Sequence, residues 1–176
     1  MNEQMILSIP VELIHPFFFS TNDHLTLDKD DRQNLNPKVP FLYEAAFFSK
    51  IDALKPWQMH EQCIPLLINE WSTEKVNLEK LFTIRDYKNT LAPMKKGIGL
   101  FLQFVYWAND NPVNFQKPFT SEDLKVQPVN MGERIGFIIQ RPTLYHSFAQ
   151  LNELMIEMEK QYVKHMAIKK ASKHKA

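Results

Sequence analysis

The chain has 176 residues, of which 44% are hydrophobic and 23% charged, and this length suits one domain with its own core. A single cysteine, Cys63, excludes an intrachain disulfide framework and is typical of a reducing compartment. No apolar run approaches the roughly 20 residues that span a bilayer. Because the N-terminus carries acid where a secretion signal needs base, we expect a cytoplasmic protein with no membrane contact.

Charge is distributed unevenly along the chain. Twenty-one basic and 20 acidic side chains give a net charge of +1, yet the last 17 residues hold six lysines and no acid. The remainder therefore has 15 basic and 20 acidic side chains, a net charge of −5. A basic end on an acidic body can attract nucleic acid or an acidic partner, or it can simply keep a helix end soluble.

Residues 1–36 are predicted to be an N-terminal segment with one short helix and a loop. Pro10 suits the first position of a single helical turn, and Pro16 ends that turn. Three consecutive phenylalanines at 17–19 are too apolar for solvent, so we expect them to pack on the body of the protein. The polar sequence from residue 20 to 40 indicates a loop.

Residues 37–168 are predicted to be a helical domain. The apolar spacing indicates helices that begin at Pro40 and Pro56, since proline fits the first turn of a helix. Pro65 should end the second helix near Cys63, because proline inside a helix removes a hydrogen bond and clashes with the preceding turn. Two further segments of helical spacing follow, 65–71 and 76–84.

The most apolar stretch, Gly97–Ala108, is predicted to be the central buried helix. Apolar residues fall on all its sides, which is typical of a helix surrounded by other elements. Ala92-Pro93 is a suitable start and the sequence from Asn109 to Pro112 is a strong stop. A buried strand over 100–107 is the competing interpretation.

The domain is predicted to end in the longest helix of the chain. The run from Thr120 to Asp123 can cap one short helix and Asn130 another, before a long helix from Pro142 towards Ile168. Its apolar residues follow a heptad pattern: Leu144, Phe148, Leu151, Met155, Met158 and Tyr162. Residues 169–176 are predicted to be a basic tail in which the helix frays.

These elements predict an all-α protein, a single-domain bundle of about six to eight helices around a buried central helix. The heptad stripe at 144–162 has two interpretations. It can pack on the chain's own core, or it can pair with a second copy in a homodimer. In the second case Met155, Met158 and Met166 would be exposed, adaptable contacts.

Two groups of side chains are candidates for binding or catalysis. Arg141, Tyr145 and His146 flank the start of the long helix, where positions 141 and 145 are one helical turn apart, and arginine and tyrosine are frequent binding anchors. His60 and Cys63 can share a helix face, and a cysteine beside a base can act as a nucleophile. A core position is the alternative for Cys63, because free cysteine is usually buried.

No pattern predicts a metal or a cofactor. Glu12 and His15 have the spacing of one di-iron ligand pair, but the sequence has no second pair. One cysteine and scattered histidines lack the spacing of zinc ligands. The run from Lys95 to Gly99 resembles the start of a phosphate-binding helix. Gly97 and Gly99 are explained more simply as places where a neighbouring element approaches closely.

The C-terminal lysines are candidates for nucleic-acid contact: Lys164, Lys169, Lys170, Lys173 and Lys175. Such residues neutralise phosphates without reading sequence, in contacts that weaken with salt. Base stacking is not predicted, because Tyr162 is the only aromatic residue among them. A solvated helix end is the alternative.

A family resemblance covers most of the chain. The segments PVNMGERIGFIIQRPTLYHSFAQLNEL (128–154) and GIGLFLQFVYWAN (97–109), with His15–Phe18, resemble the YpoC-like family of Bacillus-type bacteria. The resemblance implies a small cytoplasmic protein, whose genes tend to lie near those for DNA repair and replication initiation. It carries no catalytic motif that could be transferred to this chain.

The sequence therefore predicts a non-catalytic protein-interaction module, with a possible association with DNA replication or repair. Its partner would be another protein or a second copy bound through the 144–162 stripe, with weak nucleic-acid contact through the tail. The alternative is a small enzyme with a pocket near His60 and Cys63 or near Arg141, Tyr145 and His146.

Overall fold

The computed structural model describes residues 3–119 and 122–175. Within them the chain forms five α-helices: α1 (Leu42–Phe48), α2 (His60–Thr83), α3 (Leu91–Ala108), α4 (Met131–Gln140) and α5 (Tyr145–Lys175). Single turns of 3-10 helix lie at Val11–Leu13, Asp30–Arg32, Pro56–Gln58 and Lys88–Thr90. Strands β1 (Gln4–Ser8) and β2 (His24–Asp28) form an antiparallel pair. No helix in this part of the chain combines the length and apolarity needed to cross a bilayer.

The small sheet corrects the expectation of a purely all-α protein. Residues 24–28 were expected to be loop, yet they pair with β1 so that Met5 faces Leu27 and Leu7 faces Leu25. Leu7 and Leu27 are buried in the core while their neighbours along each strand are exposed or half-buried. Such alternation over five residues is a strand pattern. The pattern is only five residues long and is flanked by polar residues, so it did not stand out in the sequence.

The second correction concerns the number of helices. The predicted break near Cys63 is wrong, because α2 continues through Pro65, and the segments expected at 65–71 and 76–84 are one helix. Pro65 is exposed, so the Glu61 carbonyl, which it leaves without a backbone partner, can bond to water. The predicted cap at Thr120-Ser121 lies outside the described residues. With these segments merged, the described residues contain five helices rather than six to eight.

The central helix is confirmed. Every residue of α3 from Gly97 to Ala108 is buried. Helix α2 packs along α3, and α5 covers another side. Helix α1 reaches α3 through a hydrogen bond from Trp107 to Glu44. A helix enclosed in this way needs apolar residues on all its sides, as the sequence has.

The two glycines of α3 are positions of close approach, as expected. A Cβ on Gly97 would lie 2.6 Å from Cζ3 of Trp71, a residue of α2. A Cβ on Gly99 would lie 2.9 Å from Cβ of Pro40, just before α1. Both distances are shorter than van der Waals contact between carbon atoms. Glycine at these positions therefore sets how closely α2 and the residues just before α1 pack on the central helix.

Helix α5 buries its heptad stripe in the chain's own core. Phe148, Leu151, Met155 and Met158 are each at most 4% exposed. The alternative in which Met155 and Met158 are exposed is therefore wrong, and core packing is confirmed for these four residues. At the ends of the stripe, Leu144 precedes α5 and is 41% exposed, and Tyr162 is partly buried. The helix also continues to Lys175, beyond its predicted end at Ile168. Met166 is half-buried.

Gly97→Ala should destabilise the fold by about 1–3 kcal/mol, because the added methyl group displaces the Trp71 indole from the core. Gly136→Ala is the matched control, since a Cβ there meets nothing within 4 Å in the interior of α4. It should stabilise the protein by about 0.5–1 kcal/mol. Urea unfolding of both variants measures the two free energies. Equal effects of the two substitutions would contradict the role assigned to Gly97.

Candidate functional site

A groove with a volume of about 510 Å³ opens at the amino end of α3, and we call it the α3 groove. Its apolar floor combines residues of the N-terminal segment, residues just before α1 and the first turn of α3: Phe18, Phe19, Leu25, Val39, Phe41 and Leu91. Four lysines also line it: Lys38, Lys88, Lys95 and Lys96. The α3 groove therefore combines apolar surface with positive charge.

The N-terminal segment is held beside α3 by an aromatic cluster. The ring of Phe18 stacks on Phe115 with centroids 5.2 Å apart and meets Phe41 edge-on at 5.1 Å. Phe41 and Phe115 are also in edge contact, at 5.4 Å. The prediction that the run of phenylalanines packs on the body is thus confirmed. Aromatic contacts of this kind contribute more than their buried area alone.

Lys96 is occupied by an internal ion pair. Its Nζ lies 2.5 Å from Oε1 of Glu70 and 2.8 Å from Oε1 of Glu74, both on α2. Burial alone would lower the pKa of Lys96, but the hydrogen bonds to the two carboxylates outweigh it and raise the pKa. This lysine therefore joins α2 to α3 and contributes no net positive charge to the α3 groove.

The other three lysines have no such partner. Among the described residues, no carboxylate lies within 4.0 Å of Lys38, Lys88 or Lys95. Nζ of Lys95 lies 5.3 Å from the centroid of the Phe17 ring, a cation–π contact. Asp23 lies farther away; its lowered pKa arises mainly from a hydrogen bond donated by the Ser20 backbone, with a smaller contribution from Lys95. Three cations therefore face the groove without ion pairs.

The free end of α5, which we define as residues 163–175, is the second charged surface. All of these residues are helical, and apart from His165 and Met166 all are exposed. The segment carries every lysine predicted to contact nucleic acid, and no aspartate or glutamate. Basic side chains in the last turn also favour the helix, because they complement its dipole.

His60 and Cys63 are brought onto one helix, but both are used inside the protein. Nδ1 of His60 lies 2.8 Å from the hydroxyl of Tyr162, and Nε2 lies 3.2 Å from Oδ1 of Asp110. Burial lowers the pKa of His60, although Asp110 opposes the shift. A neutral ring with hydrogen on Nε2 satisfies both contacts, since it donates to Asp110 and accepts from Tyr162. His60 thus connects the start of α2 to α5.

Cys63 is a core residue in this fold. It is 3% exposed, and burial raises the pKa of its thiol to about 11. No hydrogen bond joins the sulfur to His60 or to any other described side chain. A nucleophilic cysteine needs a lowered pKa and access to substrate, and Cys63 has neither.

Arg141, Tyr145 and His146 do not share one helix. Arg141 follows the last residue of α4, whereas α5 begins at Tyr145, so their expected spacing of one helical turn is wrong. All three side chains are exposed. Tyr145 packs edge-on against Phe82 at 5.6 Å and lines a groove of about 450 Å³ between α2 and α5.

His15 is used within its own turn. Nδ1 of His15 accepts a hydrogen bond from the backbone N–H of Phe17 at 3.0 Å, which fixes the turn before the phenylalanines. Within the described ranges, no three His, Cys, Asp or Glu side chains come together in a way that could hold a metal ion.

Glu44 is a buried acid that the sequence analysis missed. Its Oε2 accepts a hydrogen bond of 2.9 Å from Nε1 of Trp107, while Oε1 is buried without a partner among the described residues. Burial raises the pKa of Glu44 to about 7, and the hydrogen bond from Trp107 opposes the shift only partly. Helix α1 buries every residue from Leu42 to Ala46, so Glu44 is covered although it lies on the side of the helix opposite Leu42, Ala45 and Ala46. No local pattern in the sequence indicated this burial.

Comparison with known proteins gives the same family as the resemblance. The family model described as YpoC-like protein matches residues 61–170. A Bacillus subtilis (strain 168) protein, named uncharacterized protein YpoC, is 32% identical over 124 residues, which cover 69% of this chain and 76% of the relative. The chain belongs to the YpoC-like family. The matched region runs from the start of α2 into the free end of α5 and includes the lysines at 88, 95 and 96. No solved structure matches the chain.

We predict that Cys63 of this YpoC-like protein is inert in the native state. A thiol-specific disulfide reagent at about pH 8 should leave it unlabelled, because the thiol is buried and its pKa lies well above that pH. Unfolding in guanidinium should expose one reactive thiol per chain, which absorbance measures directly. Rapid labelling of the native protein would restore Cys63 as a candidate nucleophile.

Glu44→Gln should change how stability depends on pH. Because the pKa of Glu44 is raised on folding, the native state binds the proton more tightly than the unfolded chain. The resulting stabilisation is fully present below about pH 4.5 and is lost as the pH rises through about 7, by up to about 3 kcal/mol. Glutamine stays neutral, so the variant should gain stability relative to wild type over this range. Urea unfolding at both ends of the range measures the difference, and a difference independent of pH would contradict the prediction.

Proposed function

We propose that this YpoC-like protein is a non-catalytic interaction module and that the free end of α5 is an element with which it binds the phosphate backbone of nucleic acid. One observation carries the proposal. The last thirteen described residues of α5 form an exposed helix with five lysines and no acidic residue, on a body (residues 1–159) whose net charge is −5.

The arrangement of these lysines favours a polyanion. At about 100° per residue, Lys169 and Lys173 point to one side of the helix, Lys170 to another, and Lys164 and Lys175 to a third. Positive charge around the whole helix suits phosphates, which contribute affinity without sequence readout. The large exposed apolar residues of the free end, Val163 and Ile168, lie about 140° apart around the helix, so these two side chains do not share one face.

Binding is preferred to catalysis because the most reactive side chains are already committed. Cys63 lies in the core, and His60 is held between Tyr162 and Asp110. The homodimer proposed through the 144–162 stripe is also disfavoured, since most of that stripe already contacts the chain's own core. A helix that binds polyanions would fit an association with DNA replication or repair. A location in the cytoplasm would fit the single free cysteine, because the cytoplasm keeps thiols reduced.

Replacing Lys169, Lys170 and Lys173 together by glutamine should weaken binding to DNA. The probe is a fluorescein-labelled duplex of random sequence, about 30 base pairs long, whose anisotropy is measured between about 50 and 200 mM NaCl. The variant should bind about tenfold or more weakly at the lower salt concentration. The slope of log K against log salt is negative, and it should become less steep by about 0.9 for each phosphate that the variant no longer neutralises.

The control replaces Lys29, Lys80 and Lys125 by glutamine; these lysines are exposed, have no ion pair in the described structure and lie outside the free end. It changes the net charge equally and should bind as wild type does. If the control binds as weakly as the triple variant, binding reflects net charge alone and the proposal is wrong. If wild type binds no duplex at low salt, the free end is a solvated helix end or a contact for an acidic protein, and the nucleic-acid proposal is also wrong.

A further inference from the structure

We infer that the α3 groove is a docking site for a segment of a partner protein that combines acidic residues with an apolar anchor side chain. This inference is independent of the free end of α5, because it concerns a different surface. It rests on the floor of the groove, the three lysines without ion pairs and the way in which the groove is built.

The floor of the α3 groove offers apolar surface to a ligand. Leu91 is 41% exposed although it opens the most buried helix of the protein, and Phe19, Leu25 and Val39 are only partly buried. Apolar side chains that line a concave surface gain free energy when they are removed from water. An anchor such as leucine or phenylalanine on a partner would cover them.

The charge around the floor indicates that the partner segment is negatively charged. Lys38, Lys88 and Lys95 have no carboxylate within ion-pair distance among the described residues, whereas Lys96 beside them is neutralised by Glu70 and Glu74. The three unpaired cations complement an anionic partner. The contrast with Lys96 matters, because it shows that the chain supplies carboxylates to one lysine of this cluster and leaves the others available.

The distribution of the three lysines favours a peptide over a single anionic head group. Lys38 precedes α1, Lys88 lies in the 3-10 turn Lys88–Thr90, and Lys95 lies on α3. Charges held by three separate elements suit several carboxylates spaced along a chain. A fatty acid would bring only one carboxylate to these three lysines.

The groove depends on elements that are fixed in place. The Phe18–Phe41–Phe115 cluster holds one wall, and the contact of Gly99 with Pro40 holds that wall against α3. A preformed site loses less conformational entropy on binding than one that must be ordered by its ligand.

The experiment uses the full chain and an array of fluorescein-labelled twelve-residue peptides rich in glutamate, with one or two Leu or Phe residues at varied positions. Fluorescence anisotropy should identify members that bind with a Kd below about 1 mM.

A triple variant tests the charge of the groove. That binding should be abolished by the combination of Lys38→Glu, Lys88→Glu and Lys95→Glu. Lys29→Glu, Lys80→Glu and Lys125→Glu combined, the control of equal charge, should bind within about twofold of wild type. Leu91→Gln should weaken binding about tenfold, because it removes apolar surface from the floor without changing its charge.

Three other outcomes would overturn the inference. If no member of the array binds, the α3 groove is not a peptide site. If oligoglutamate without an apolar residue binds equally well, the contact is electrostatic and needs no groove. If oleate binds in the groove and the peptides do not compete with it, the groove holds a lipid-like anion instead. Circular dichroism and urea unfolding of each variant exclude loss of fold as the cause of weaker binding. The DNA experiment changes none of these three lysines and the peptide experiment changes none in the free end of α5, so the two proposals fail separately.

Discussion

The architecture depends on the complete removal of one helix from water. The twelve consecutive residues from Gly97 to Ala108 are all buried, so α3 can exist only if other parts of the chain cover each of its sides. Helices α2 and α5 cover two sides, and the turns Pro56–Gln58 and Lys88–Thr90 also contact α3. Pro40 and Phe41 lie against Gly99, and Glu44 bonds to Trp107. The heptad stripe of α5 and Phe41 of the aromatic cluster thus contribute to this enclosure. Even Glu44 owes its burial to it, since the acid lies where α1 closes over Trp107.

The sequence was informative wherever one strong local signal decided the outcome. The apolar stretch of α3 and its stop at Asn109–Pro112, the heptad stripe of α5 and the three phenylalanines are such signals, and each is found as expected. The failures occurred where a local rule competed with tertiary packing. Pro65 is a strong helix breaker, yet Ile64, Leu67 and Trp71 are buried against the core and keep α2 continuous around it. The two strands were missed because their local signal is weak: an alternation over five residues is too short to be recognised in the sequence.

The candidate sites were less predictable, because their residues come from distant parts of the chain. The α3 groove joins Lys38 to Lys95 only through the close contact of Pro40 with Gly99. The run from Lys95 to Gly99 did stand out in the sequence, but nothing local indicated that Lys96 would be neutralised from α2 while Lys95 would not. Likewise, His60 and Tyr162 are 102 positions apart, and their hydrogen bond is invisible without the fold. Charge and periodicity indicate which side chains are available, and only the packing decides which of them meet.

The contact between Tyr162 and His60 has a mechanical consequence. Tyr162 is the last residue of α5 whose side chain is hydrogen-bonded to the rest of the described protein, and the thirteen residues after it extend about 20 Å as a helix. A sideways force on the end of this helix therefore acts on the His60–Tyr162 hydrogen bond, on the edge contact of Tyr162 with Phe104, and on the half-buried His165 and Met166. His60 is the first residue of α2, and its imidazole also contacts Asp110 in the turn that follows α3. A force on the lysine-bearing end would thus be transmitted to the place where α2, α3 and α5 meet.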